Sequence, residues 1–294
     1  MVKPKLIVGP HTLQLMSDAT WAGQDNFPFR QQDADEMERV LNFFDREKQP
    51  RKLAAVKHAN NPIKRDELLA EIRAAYFLHR SGFNILQWEP PGERTKDGNL
   101  KGGEFTASLG STGAIFVEVK CPGWQGEIEQ MIKGMNDQKH EGVGHLKNRR
   151  KQPKFIPKLS GGYASGSPLD CMHVVRRNVI PKLKDTCPNL AIIVDNCWAS
   201  PIWHLSLVED VQQELLQPCH DPSDPEDNHD YARLSGVLFL TLSPGSSGGI
   251  DYDIAFVENP HVLATCALPL EVRALFSKLH LESELRDGKK WICG

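Results

Sequence analysis

Gly102-Gly103-Glu104-Phe105-Thr106-Ala107 and Ala114-Ile115-Phe116-Val117-Glu118-Val119-Lys120 are two runs of strand-forming residues, and Gly110-Ser111-Thr112-Gly113 between them is a turn signal. The pattern predicts a β-hairpin with Glu104 and Glu118 on neighbouring strands. Glu118 and Lys120 are two apart, so both side chains point to one face of their strand. An ordinary exposed strand face would also carry a Glu-Lys pair. Phe116, Val117 and Val119 argue against it, because a near-continuous apolar run marks a strand buried on both faces. Charges on such a strand need a partner or a metal. Two carboxylates and an amine converging on one sheet face suit a divalent cation and a phosphate.

Working outward, Ile63 to Arg80 reads as a helix with Leu68, Leu69, Ile72, Ala75 and Tyr76 as its apolar stripe. Glu71 lies beside that stripe and Glu67 further round toward solvent. Glu71 is therefore the candidate for the site, the other reading being a solvated helix charge. Ser81-Gly82 ends the helix with a left-handed cap. Asn84 to Trp88 reads as a first strand, stopped by Pro90-Pro91-Gly92. Glu127 to Met135 is a short helix. Asp170 to Lys184 is another, with Pro181 imposing a kink or boundary. Leu190 to Val194 is an unbroken apolar run, as expected of a strand at the centre of a sheet.

At the hairpin and the helix before it, the chain resembles the restriction-endonuclease-like superfamily, the PD-(D/E)xK nucleases. Glu118-Val119-Lys120 meets the Glu-x-Lys half of the motif. Glu104 after Gly103 stands where the family usually has Asp after Pro, and Glu71 stands where it often carries a helical Glu. The resemblance covers roughly Arg65 to Asp195. It implies an αβββαβ core, a central mixed sheet flanked by helices, in an α/β (mixed α+β) chain. It also implies a hydrolase that cleaves phosphodiester bonds of DNA or RNA with Mg²⁺ or Mn²⁺. Glu104, Glu118, the Val119 carbonyl and Glu71 would be the metal ligands. Lys120 would contact the attacking water or the scissile phosphate, as base or as electrostatic stabiliser. Some members have lost catalysis, so the alternative is an inactive nuclease-fold module that binds nucleic acid or serves assembly.

From Lys139 to Lys158, seven Lys or Arg stand against Glu141 alone, in a chain of net charge −3. Lys147, Arg149, Arg150, Lys151 and Lys154 are the candidates for holding a nucleic-acid backbone, and the resemblance implies DNA as the partner; a solvated basic loop is the other reading. Pro153, Pro157 and the glycines around Tyr163 make 139–166 a basic insertion. Residues 1–62 read as an arm and a helix, Asp33 to Asp45, packed on the domain formed by 63–294. Val208 to Leu216 and Leu268 to Leu285 read as helices of a C-terminal extension, and Gly236 to Leu242 and Asp253 to Val257 as its strands.

The seven cysteines include no CxxC pair, and Leu6-Ile7-Val8 is too short for a secretory leader's apolar core. Reduced thiols of a cytoplasmic protein are expected. Cys121 beside Lys120 is a buried structural thiol by alternation. Cys219, His220 and His229 fall in an Asp/Pro-rich loop, which disfavours a zinc site. No apolar run approaches the ~20 residues of a membrane span. A homodimer is compatible with this reading.

Overall fold

The computed structural model of the chain describes residues 9–10, 31–47, 49–57, 62–90, 103–121, 171–195, 201–216, 231–244 and 250–286. Six strands form one sheet in chain order: β1 (Phe83–Trp88), β2 (Phe105–Leu109), β3 (Ile115–Lys120), β4 (Asn189–Asp195), β5 (Gly236–Pro244) and β6 (Ile250–Glu258). β1, β2 and β3 run antiparallel, β3, β4 and β5 parallel, and β5 and β6 close with an antiparallel pair. This is a mixed α/β architecture with an open, mixed sheet flanked by helices.

Strand alternation sorts the core into two layers. Ile115, Val117 and Val119 of β3, with Leu190, Ile192 and Val194 of β4, face one cluster. Phe116 of β3, with Ala191 and Ile193 of β4, faces the other. Both strands are apolar at consecutive positions because helices cover both sides. The first layer holds α1 (Gln31–Arg46), α2 (Pro50–Lys57), α3 (Pro62–Arg80) and α6 (Leu270–Arg286). The second holds α4 (Cys171–Val174), the irregular helix that continues it, and α5 (Pro201–Leu216).

Helix α3 departs from the single stripe expected of it. Leu68 to Ala75 are all buried, because α1 and α2 cover the side turned away from the sheet. The two charges in this stretch consequently have partners. Arg73 forks onto Glu36 of α1, with Nε donating to Oε1 at 3.1 Å and Nη2 to Oε2 at 2.9 Å. Tyr252 of β6 donates its hydroxyl to the same Glu36 at 2.5 Å, joining α1, α3 and the far strand. Glu71 is the other, and it belongs to the site. The helix ends at Ser81-Gly82 as expected. Gly82 has φ 95°, a conformation that costs a residue with a Cβ, and its N–H donates to the His79 carbonyl at 3.0 Å.

The expected helix from Asp170 to Lys184 is not a continuous α-helix. After α4 the backbone widens to a π-helical turn over Val175–Val179 and tightens to a 3₁₀ turn over Ile180–Lys182. Pro181 lies in that last turn, and Leu183 is already extended. A proline ring cannot continue the i→i−4 ladder, so the boundary falls there. Helix α5 begins at Pro201, ahead of the expected Val208, and α2 lies where no helix was expected.

The short helix expected at Glu127 to Met135, the basic insertion and the Cys219/His220/His229 stretch lie outside the described residues. So does the arm, apart from residues 9–10. Among the described residues no helix is long and apolar enough to cross a membrane.

Candidate functional site

The hairpin forms with Phe105 opposite Val117, Thr106 opposite Phe116 and Ala107 opposite Ile115. The ladder ends at Phe105 and Val117, and Glu104 is the residue just before it on the β2 side. Glu104 stays tied to the sheet through its backbone, with its N–H donating to the Val117 carbonyl at 3.1 Å and its own carbonyl accepting from Glu89 N–H at 2.8 Å. Glu89 follows β1 with φ 49°, unusual for a residue with a side chain, and turns the chain toward Pro90.

Gly103, just before Glu104, stands where a larger residue has no room. A Cβ at this position would lie 2.3 Å from Cζ of Phe116, which fills the space beneath the backbone. Phe116 is fully buried in the second layer, with the Lys184 ammonium 5.0 Å from its ring centroid.

Glu118 and Lys120 share the Phe116 face of β3, as the period of two requires. The Glu118 side chain is 0% exposed. Lys120 Nζ donates to its Oε1 at 2.5 Å and to the Val119 carbonyl at 3.0 Å. Lys182 Nζ donates to the same Oε1. The other oxygen, Oε2, is buried and has no hydrogen-bond partner. Cys121 packs against the first layer, away from Lys120.

Glu71 and Glu104 meet at a third lysine. Lys52 of α2 donates to Glu71 Oε2 at 2.8 Å and to Glu104 Oε2 at 3.2 Å, and Glu89 Oε1 lies 3.6 Å away. The Lys52, Glu71 and Glu104 side chains are 10%, 11% and 15% exposed. All three are withdrawn from bulk water, where ion pairs are strong and unpaired charges costly.

Ionisation records how closely these groups sit. Burial raises the Glu71 pKa to about 7, the Glu104 carboxylate adds to the rise, and Lys52 opposes it. Burial also raises Glu118, against Lys120 and Lys182, with Glu104 adding to the rise. For Lys120, burial alone would lower the pKa. Glu118, followed by Glu104 and Glu71, outweighs burial, and the pKa ends above the ordinary lysine value. The four side chains singled out from the sequence thus form one electrostatic neighbourhood. Lys120 is held as an ammonium within it.

Two lysines of the cluster escaped sequence reading. Arg51-Lys52-Leu53-Ala54-Ala55-Val56 carries a faint helical signal in Leu53 and Val56, both buried, but nothing in it points Lys52 at a site. Lys182 depends on the irregular turn before it, which no periodicity announces. That turn is held from below by Arg233, whose Nη1 donates to the Leu183 carbonyl at 2.9 Å. Buried Asn189 donates through Nδ2 to the carbonyls of Lys184, Cys187 and Arg233 at 2.7–2.9 Å and accepts from Lys184 N–H at 3.0 Å.

The carboxylates are parted between the lysines. Among the described residues no three His, Cys, Asp or Glu side chains are gathered as one metal-holding group. Lys147, Arg149, Arg150, Lys151 and Lys154 lie outside the described residues. No protein-family model, no curated protein and no solved structure matches the chain.

Proposed function

We propose that this chain is a divalent-metal-dependent nuclease of the PD-(D/E)xK type, hydrolysing phosphodiester bonds of DNA or RNA. The observation that carries the reading is Glu118 and Lys120 side by side on a buried strand, with Glu104 from the neighbouring strand and Glu71 from α3 close enough to act on them electrostatically. The order of helix, three antiparallel strands, helix and parallel strand supports the αβββαβ core.

The donors at the site are carboxylates and a peptide carbonyl, the oxygen set that Mg²⁺ and Mn²⁺ prefer. Glu118 Oε2, buried without a hydrogen-bond partner, is an oxygen left over for such an ion. Glu118, Glu104 and the Val119 carbonyl would hold it, with water filling its other positions, and Glu71 would bind a second ion or orient a metal-bound water. When bound, the ion would lower the pKa of a water and offset charge on the phosphate. Lys120, beside Glu118, would contact the attacking water or the scissile phosphate, as base or as electrostatic stabiliser. Lys182 adds a second ammonium to the same oxygen of Glu118. Lys147, Arg149, Arg150, Lys151 and Lys154 would hold the nucleic-acid backbone.

The test is cleavage of labelled DNA and RNA by the purified chain in Mg²⁺ and Mn²⁺, with Ca²⁺ expected to bind without turnover. Glu118→Ala should abolish cleavage with the fold intact. Lys120→Ala should lower turnover by orders of magnitude with little change in affinity. Undiminished cleavage by the Glu118→Ala protein would rule the mechanism out.

A second reading has its own observation. Three lysines already neutralise three glutamates, as in a nuclease-fold module that serves binding or assembly without catalysis. A protein that neither binds Mn²⁺ nor cleaves, yet binds nucleic acid, would favour it.

A further inference from the structure

Lys52 comes from outside the core elements that carry the other site residues. Its ammonium contacts oxygens of two carboxylates at once, 2.8 Å from Glu71 and 3.2 Å from Glu104. Those two glutamates are drawn together against their own repulsion, in a place with little water to screen them. A divalent ion bridging the same two oxygens would take over the charge balance the ammonium now supplies, and like charges on one pair of carboxylates repel. Ammonium and metal therefore compete for this half of the site.

We infer that Lys52 is the resident counter-ion of the Glu71–Glu104 pair, displaced when a divalent cation enters, so that α2 is an intramolecular competitor of metal. The inference rests on the metal-binding reading above and adds a control to it. Helix α2 is anchored apart from its lysine, with Leu53 and Val56 buried in the first layer and Leu53 N–H donating to the Gln49 carbonyl at 3.1 Å. Displacement thus needs only rotation of a four-carbon stem. Two seats lie within reach. The Trp88 ring centroid is 5.9 Å from Nζ, and the Glu89 carboxylate, 3.6 Å away, is itself largely exposed. Lys120 and Lys182 differ from Lys52, since both hold Glu118, whose second oxygen stays unpartnered while they do so.

A positioning lysine that stays in place beside the metal predicts the opposite sign. Removing it would leave the carboxylates disordered and weaken metal binding. Removing a competitor strengthens it. The experiment is Mn²⁺ titration of the full chain by calorimetry, together with the Mn²⁺-induced rise in Tm, for wild type, Lys52→Met and Lys52→Arg. Lys52→Met should bind Mn²⁺ at least tenfold more tightly than wild type. It should melt lower without metal and gain more Tm from it. Lys52→Arg, which keeps the charge, should keep the wild-type affinity. Equal or weaker binding by Lys52→Met overturns the inference. If that variant folds only with Mn²⁺ present, the Mn²⁺ concentration that folds it gives the same comparison. Failure to fold at any Mn²⁺ concentration overturns the inference, because a divalent ion then cannot replace the ammonium. Wild-type Mn²⁺ binding and Glu118-dependent cleavage, with no gain in Lys52→Met, would remove the competitor and leave the nuclease. Absence of Mn²⁺ binding in every variant would remove both.

Discussion

Replacing Glu71 by Gln keeps the shape of the side chain and removes its ionisation, so it isolates the electrostatic state of the buried pair. In the folded protein burial is the largest influence on this carboxyl, followed by Glu104, with Lys52 opposing; the pKa rises from its ordinary 4.5 to about 7. The folded state therefore holds a proton between those values that the unfolded chain has lost. The stability this group contributes is fully present below pH 4.5 and is lost as pH rises through 7. A shift of that size is worth about 3 kcal/mol at ~1.36 kcal/mol per pKa unit. Urea unfolding of wild type and Glu71→Gln, in half-unit steps from pH 4 to 8, measures it. The difference between the two curves cancels every group they share. Wild type should lose about 3 kcal/mol relative to Glu71→Gln across that window. A flat difference would mean that Lys52 offsets both burial and Glu104. A difference that grows in favour of wild type with pH would mean that the ion pair dominates, and the account of this half of the site would be wrong.

Asn189→Ala should destabilise the protein by about 3 kcal/mol or more in the same assay, because it strips donors from three carbonyls and an acceptor from one N–H; a loss under 1 kcal/mol would mean that the turn carrying Lys182 does not need it. Gly103→Ala should cost roughly 1–3 kcal/mol by driving a Cβ against Phe116, and Phe116→Leu in the same chain should recover part of the loss; independent, additive effects would deny the contact. Replacing Arg149, Arg150 and Lys151 together by Ala should weaken nucleic-acid binding and flatten its salt dependence, by a slope of about 0.9 per lost contact on duplex DNA. Anisotropy across a salt series in Ca²⁺ reads this, and an unchanged slope would make the segment a solvated surface.

Residues close in sequence largely dictated the hairpin. Turn residues, β-branched runs and a period of two are local properties, and they place Glu104 and Glu118 on neighbouring strands and Lys120 on the same face as Glu118 whatever the rest of the chain does. The consecutive apolar residues of β3 and β4 likewise required cover on both faces, and the structure supplies it. Gly82 and Pro181 ended their helices because φ and the missing N–H are properties of the single residue. Gly103 shows where that logic stops. The residue is plain in the sequence, but the ring of Phe116 that leaves no room for a Cβ there is brought to it only by the pairing of the two strands.

The counter-charges belong wholly to the tertiary structure. Lys52 reaches Glu104 across 52 positions, and Lys182 reaches Glu118 across 64. Neither separation leaves a periodic trace, and Lys182 further depends on a π-helical turn that shifts every later side chain around the axis. Glu71 could be placed beside the apolar stripe of α3 from sequence, yet its burial is decided by α1 and α2 closing over the outer side of that helix. Local pattern sets which face of a strand or helix a charge occupies. Only the packing of distant elements sets how dry that face is and which opposite charge meets it, and in a low-dielectric site these two quantities govern the chemistry.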